Sequence, residues 1–102
     1  MYQIQPRTFK MATKLGVKVQ PSEDPKYKID VLDYHGNYIT SIGDKKYKDY
    51  PTYLKMEKDG ETPKGYAKKR RELYWKRHEK EIDKLGNEWE GSRSYYSFLL
   101  LW

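Results

Sequence analysis

Cysteine is absent from these 102 residues. Its absence excludes disulfide frameworks, thiolate nucleophiles and cysteine-ligated zinc together, so stability has to come from packing or from a partner. Histidine is scarce as well: His35 and His78 fall in an expected turn and an expected helix, without the i, i+4 or carboxylate spacing of a metal site. Glycine-rich phosphate loops and nucleophile elbows are missing, and Glu88 and Glu90 flank Trp89 with no visible acid/base partner. The chain therefore reads as no enzyme, with no cofactor, no metal and no small-molecule substrate. No apolar run approaches the length that spans a bilayer, and MYQIQPRTFK lacks the apolar core of a secretory signal. The expectation is a protein without a membrane partner, made and used on the cytosolic side.

Aliphatic side chains are also in short supply. Only 36% of the residues are apolar, and they include eleven Tyr, three Trp and two Phe. A core of this composition is built largely from rings, and Tyr, whose hydroxyl needs a partner, suits half-buried positions and interfaces. The length supports one domain with a limited core and no large cleft. The net charge of +6 is unevenly spread. Residues 64 to 85 hold nine Lys/Arg and four Asp/Glu, while the remaining residues hold twelve and eleven. A surplus confined to one segment points to an acidic partner, nucleic acid being the commonest case.

Residues 1–25 are polar, close on Pro21 and Pro25, and read as an extended N-terminal arm, with at most a short strand at Val17 to Val19. From Lys26 the pattern takes period two, placing Tyr27, Ile29 and Val31 on one face and Lys28 and Asp30 on the other. Gly36-Asn37 supplies a tight turn and YITSI resumes the β composition, so residues 26 to 42 form a hairpin ended by Gly43-Asp44. Asp49 as cap, Pro51 in the first turn and Gly60 as terminator bracket a short helix through Tyr53, Leu54 and Met56. Thr62 as N-cap, Pro63 at the first position and Gly86 at the end bracket a long one over 63–85. SRSYYSFLLLW predicts a short buried helix from Ser92 or Ser94, which has to pack on the hairpin, the long helix or another subunit. The fold class is α+β: a small single domain, residues 26–102, with a β-hairpin packed against a long basic helix and a short aromatic C-terminal helix, preceded by the arm.

The segment KKRRELYWKRHEK divides when its residues are set about 100° apart around a helix axis. Lys69, Lys76 and Lys80 share a side with Glu72, Glu79 and Asp83, a solvated and charge-laced face. Ala67, Tyr74, His78, Ile82 and Leu85 gather opposite, a stripe expected to meet the hairpin. Arg70 and Arg77 border this stripe on one side and Arg71, beside Trp75, on the other. Their forks suit planar oxyanions bidentately. With Trp75 and Lys68 they are the residues expected to bind a partner, either an acidic protein surface or phosphate. The alternative is that they pair with the domain's own acids, such as Asp30, Asp33 or Asp44. A nuclear-localisation reading of KKRR is weaker, since a helix encloses the tetrapeptide.

GNYITSIGDKKYKDY, KKRRELYWKRHEK and SYYSFLLLW together resemble a small basic domain of unassigned function found in tailed bacteriophages and giant nucleocytoplasmic DNA viruses. The matching features are the glycine turn of the hairpin, the Tyr47 to Tyr50 element, the Arg77-His78 pair in the basic helix and the Leu101-Trp102 ending. They cover about Tyr27 to Trp102 and omit the arm. The resemblance implies a viral origin, with no catalytic or binding residue to carry over. On that footing the chain is expected to be a structural virion protein, made in the host cytoplasm. It would be a minor or auxiliary capsid component that ties neighbouring subunits, its partner being the major capsid or another virion protein. A nucleic-acid-binding protein using residues 64–85 and an inhibitor of a host enzyme are the alternatives.

Overall fold

A computed structural model describes residues 2–102. The chain forms α1 (Pro6–Leu15), β1 (Lys18–Pro21), β2 (Tyr27–Leu32), β3 (Tyr38–Asp44), α2 (Tyr50–Lys58), α3 (Tyr66–Leu85), a 3-10 turn (Gly86–Glu88) and α4 (Arg93–Leu101). The α+β class holds, with the hairpin at its centre. Its turn closes where Asp33 Oδ1 accepts from the main-chain N–H of both His35 and Asn37, while Gly36 takes φ 90°. These bonds hold the Asp33 carboxyl below its ordinary range.

The extended arm is corrected. Residues 6–15 are a helix, opened by Pro6 in its first turn and closed by Gly16 at φ 72°. Residues 18–21 are a third strand antiparallel to β2, pairing Val19 with Val31, so the sheet runs β1-β2-β3. The helix turns Thr8 and Ala12 inward, where Thr8 donates its hydroxyl to the Leu100 main-chain oxygen at 3.0 Å. The domain boundary at residue 25 therefore disappears, because the first 25 residues supply an edge strand and part of the core.

Ala12, Ile29, Val31, Ile42, Leu100 and Leu101 form that core. An aliphatic side chain contributes about 1.5–3 kcal/mol when fully buried. Gly43 belongs to its wall: at φ 77° it leaves room for Leu101, whose Cδ1 would lie 2.7 Å from any added Cβ. Lys28 and Asp30, expected to face water, are buried because their face of β2 is covered, Lys28 by Tyr47 and Asp49 and Asp30 by Ser22 and Ser41. Burial alone would raise the Asp30 pKa, but Ser22 and Ser41 each donate to Oδ1 at 2.7 Å and the net shift is downward. Lys28 donates to the main-chain oxygen of Tyr47 and, at 3.0 Å, to Asp49.

Asp49 ties three elements together. Its Oδ1 accepts from Thr52 N as the N-cap of α2, and its Oδ2 accepts from Lys28 and from the Tyr2 hydroxyl, the latter at 2.8 Å. Gly60, φ 78°, follows the end of α2. Ser92 caps α4 by accepting from Tyr95 N. Helix α3 starts later than Thr62 and Pro63 predict, at Gly65 as N-cap, because Glu57 of α2 accepts from Ala67 N at 2.5 Å and satisfies one of the exposed N–H groups of the first turn.

Candidate functional site

Helix α3 carries the site. Its exposed side holds Lys69, Glu72, Lys76, Glu79, Lys80 and Asp83, as helical placement predicts. The inward stripe meets rings of α4 and the chain end. Tyr74 stacks on Trp102 with centroids 4.4 Å apart and planes 5° from parallel. His78 stacks on Tyr74 at 5.3 Å and on Phe98 at 4.8 Å. Four rings thus form one column, each contact adding about 0.5–1.5 kcal/mol beyond area burial.

His78 is the most buried member of the column, 3% exposed. Trp89 Nε1, which can only donate, bonds His78 Nε2 at 3.2 Å. The acceptor role fixes a neutral imidazole with its proton on Nδ1, facing Glu81 Oε2 at 3.3 Å. Burial lowers the His78 pKa, and the attraction of Glu81 offsets part of that. The imidazole is a packing and hydrogen-bonding group held neutral.

A groove of about 450 Å³ runs between α3 and the segment from Gly43 to Asp49. Arg70, Tyr74 and Arg77 line it from the helix, Tyr47 and Lys48 from the facing segment, and Trp102 from the chain end. Arg70 lies over Tyr53 at 5.7 Å, and its Nε is buried without a partner. Arg77 is exposed.

Arg71 is drawn to the other flank. Its Nε donates to the Trp102 main-chain oxygen at 2.7 Å, and its guanidinium lies 4.0 Å from the Trp75 ring and 4.6 Å from the Tyr50 ring. Arg7 of α1 lies over the same Tyr50 ring at 4.8 Å, with Nη1 buried and unpartnered. Burial, and then the like charge of Arg71, lower the Arg7 pKa. Trp75 is half-buried, tilted against Phe98 at 5.9 Å. Lys68 is exposed and forms no ion pair among the described residues.

The five expected residues therefore do not make one patch. Arg70 and Arg77 share the groove, Arg71 and Trp75 share the flank, and Lys68 stands apart. Among the described residues these arginines close no ion pair with an Asp or Glu side chain. The closed ion pairs among the described residues are Lys28–Asp49 and His78–Glu81, and neither includes an arginine. Asp30 is committed to serines, Asp33 to its turn and Asp44 to Lys46 N. Sequence reasoning missed Arg7, and it noted Tyr50 and Trp102 as features of the resemblance without placing them beside Arg71. The bracketing of Arg7 by Pro6 and Gly16 was the available signal that it sits on a helix. Comparison with family models, with curated proteins and with solved structures gives no match.

Proposed function

We propose that the chain is a non-enzymatic structural virion protein, a minor or auxiliary capsid component of a tailed phage or large DNA virus. It docks on an acidic protein surface through the arginines of α3. The observation carrying the docking is that Arg70 and Arg71 lie over aromatic rings, Arg77 is exposed at the groove beside Arg70, and none of the three closes an ion pair with an Asp or Glu side chain among the described residues. Arginine and aromatic residues in this mixture dominate binding energy at protein interfaces. The viral setting is supported by the segment resemblance over residues 27–102 alone. With the first 25 residues folded into the domain, the groove and the flank of α3 replace the arm as the means of joining neighbours. Mass spectrometry of purified virions tests the reading: the chain should be present in fixed proportion to the major capsid protein, and its absence sinks the proposal.

A second reading, nucleic-acid binding, is favoured by the exposed Lys68, Lys69, Lys76 and Lys80 along α3. Glu72, Glu79 and Asp83 on the same side dilute that potential, which is why an acidic protein is preferred. Binding to labelled duplex or single strand with a steep inverse salt dependence would reverse the preference. Capture of one stoichiometric host enzyme would point instead to an inhibitor.

A further inference from the structure

Lys48, Arg70 and Arg77 line the groove beside α3 together, and none closes an ion pair among the described residues. Arg70 and Arg77 are seven residues apart, nearly two helical turns, so they leave one side of α3 about 10 Å from each other. Of the Arg70 nitrogens Nε alone is buried without a partner, so the two terminal ones are those offered to a ligand. The acids of the same lining are engaged within the domain: Asp49 by Lys28, Asp44 by the Lys46 N–H, and Glu81 by His78 and Ser94. A second cavity of about 470 Å³ continues the groove, sharing Gly43, Asp44, Tyr74, Glu81 and Ser97 with the first. The three free cations line the first cavity alone, whereas Asp44 and Glu81 stand where the two meet. The groove is therefore positive over a short stretch and negative beyond it.

We propose that the groove takes a short acidic segment of the partner protein, with carboxylates about three residues apart and an aromatic residue between them. This deepens the docking reading and rests on it, adding Lys48 and Tyr47 to the residues that hold the partner. Three extended residues span about 10 Å, the separation of Arg70 and Arg77 along their helix. The arginine forks accept carboxylates bidentately, and Lys48 adds a point charge from the facing wall. Tyr74 and Trp102 offer ring surface to the aromatic side chain, as does Tyr47, whose own ring is 70% exposed. A nucleic-acid strand fits less well, because its phosphates repeat without a break and would run on to Asp44 and Glu81.

The test is fluorescence anisotropy of the full chain with a fluorescein-labelled peptide, Glu-Glu-Phe-Glu-Glu. Wild type should bind it, and should bind Gln-Gln-Phe-Gln-Gln and Glu-Glu-Gly-Glu-Glu about tenfold more weakly or worse. Arg70→Met should lose about tenfold in affinity, the contribution of a charge-assisted hydrogen bond from a half-buried donor. Arg77 and Lys48 are exposed, and Arg77→Met and Lys48→Met should lose about threefold each. Tyr47→Ala should weaken binding without lowering the melting temperature, since Lys28 is held by the Tyr47 main-chain oxygen and not by its ring. Lys14→Met removes an exposed charge from α1, outside the groove, and should bind as wild type does. No binding by wild type, equal affinity for the Gln peptide, or unchanged affinity in Arg70→Met would each overturn the assignment. So would an Arg70→Met protein that melts well below wild type without peptide, or oligothymidylate binding more tightly than the peptide. Peptide binding by a protein absent from virions supports the groove and sinks the capsid setting alone, whereas presence in virions without peptide binding overturns the groove alone.

Discussion

The sheet side of this domain satisfies its buried polar groups, whereas the α3 side satisfies His78 and leaves several others without a partner among the described residues. Around the sheet, Thr8, Lys28, Asp30 and Asp49 are buried and each has partners within hydrogen-bonding distance. Around α3, one side-chain nitrogen each of Arg7 (Nη1), Arg70 (Nε) and Trp75 (Nε1) is buried with none among the described residues. An unsatisfied buried polar group costs about 1–3 kcal/mol, so the second region gives up stability that the first conserves. The difference separates a part of the molecule that specifies the fold from a part whose polar groups are left for something outside it.

The contrast breaks most sharply at Asp49. Replacing it by Ala strands the Lys28 ammonium and removes the α2 cap. The expected loss is about 3–5 kcal/mol of unfolding free energy, read from urea titration. A loss below 1 kcal/mol would mean that Lys28 reaches water in the folded protein. Gly43→Ala should come next, at about 1–3 kcal/mol, since it joins a left-handed backbone to a clash with buried Leu101. Full retention of stability there would show that Leu101 can move aside.

His78 gives a pH arm to the comparison. Its folded pKa lies below the unfolded value of about 6.5. As pH falls below that value the unfolded chain binds a proton first. The stability contributed by neutral His78 is therefore complete above about pH 6.5 and declines as pH falls toward the folded pKa. Unfolding free energy measured across this window should fall for wild type, and the fall should be smaller in His78→Phe, which keeps the ring stack and cannot titrate. An identical slope in both proteins would show that His78 does not carry the pH dependence.

Much of the sheet and helix framework is legible in sequence because punctuation residues carry local geometry. Asp49 and Gly60 bound α2, Gly36 marks the hairpin turn and Ser92 opens α4, each by a mechanism confined to a few residues. Helix α1 escapes that reading although Pro6 and Gly16 bracket it and Thr8, Met11, Ala12 and Leu15 share its inward face at helical spacing, because only Met11 and Leu15 of that short stripe are large and apolar. Lys28 and Asp30 mislead for a different reason: period two describes two faces, and whether the second is covered depends on residues outside the strand, Tyr47 and Asp49 over Lys28 and Ser22 and Ser41 beside Asp30. The site is legible in part. Arg70, Arg71 and Arg77 follow from helical placement, but their division between groove and flank depends on Trp102 and Tyr50, which long-range packing brings to α3. Arg7 comes from a helix the sequence pattern concealed.

The smallest expected effect is also the most direct test of the central claim, that the arginines of the groove are held for a partner and not for the fold. Urea unfolding of Arg70→Met/Arg77→Met removes both forks and keeps much of the apolar stems. The double variant should unfold within about 0.5 kcal/mol of wild type, because Arg77 is exposed and the Met stem keeps much of the Arg70 packing, or be slightly more stable through loss of the unpartnered Arg70 Nε. A loss of 2 kcal/mol or more, on the order of a core substitution, would place these arginines in the architecture of the domain and contradict the account.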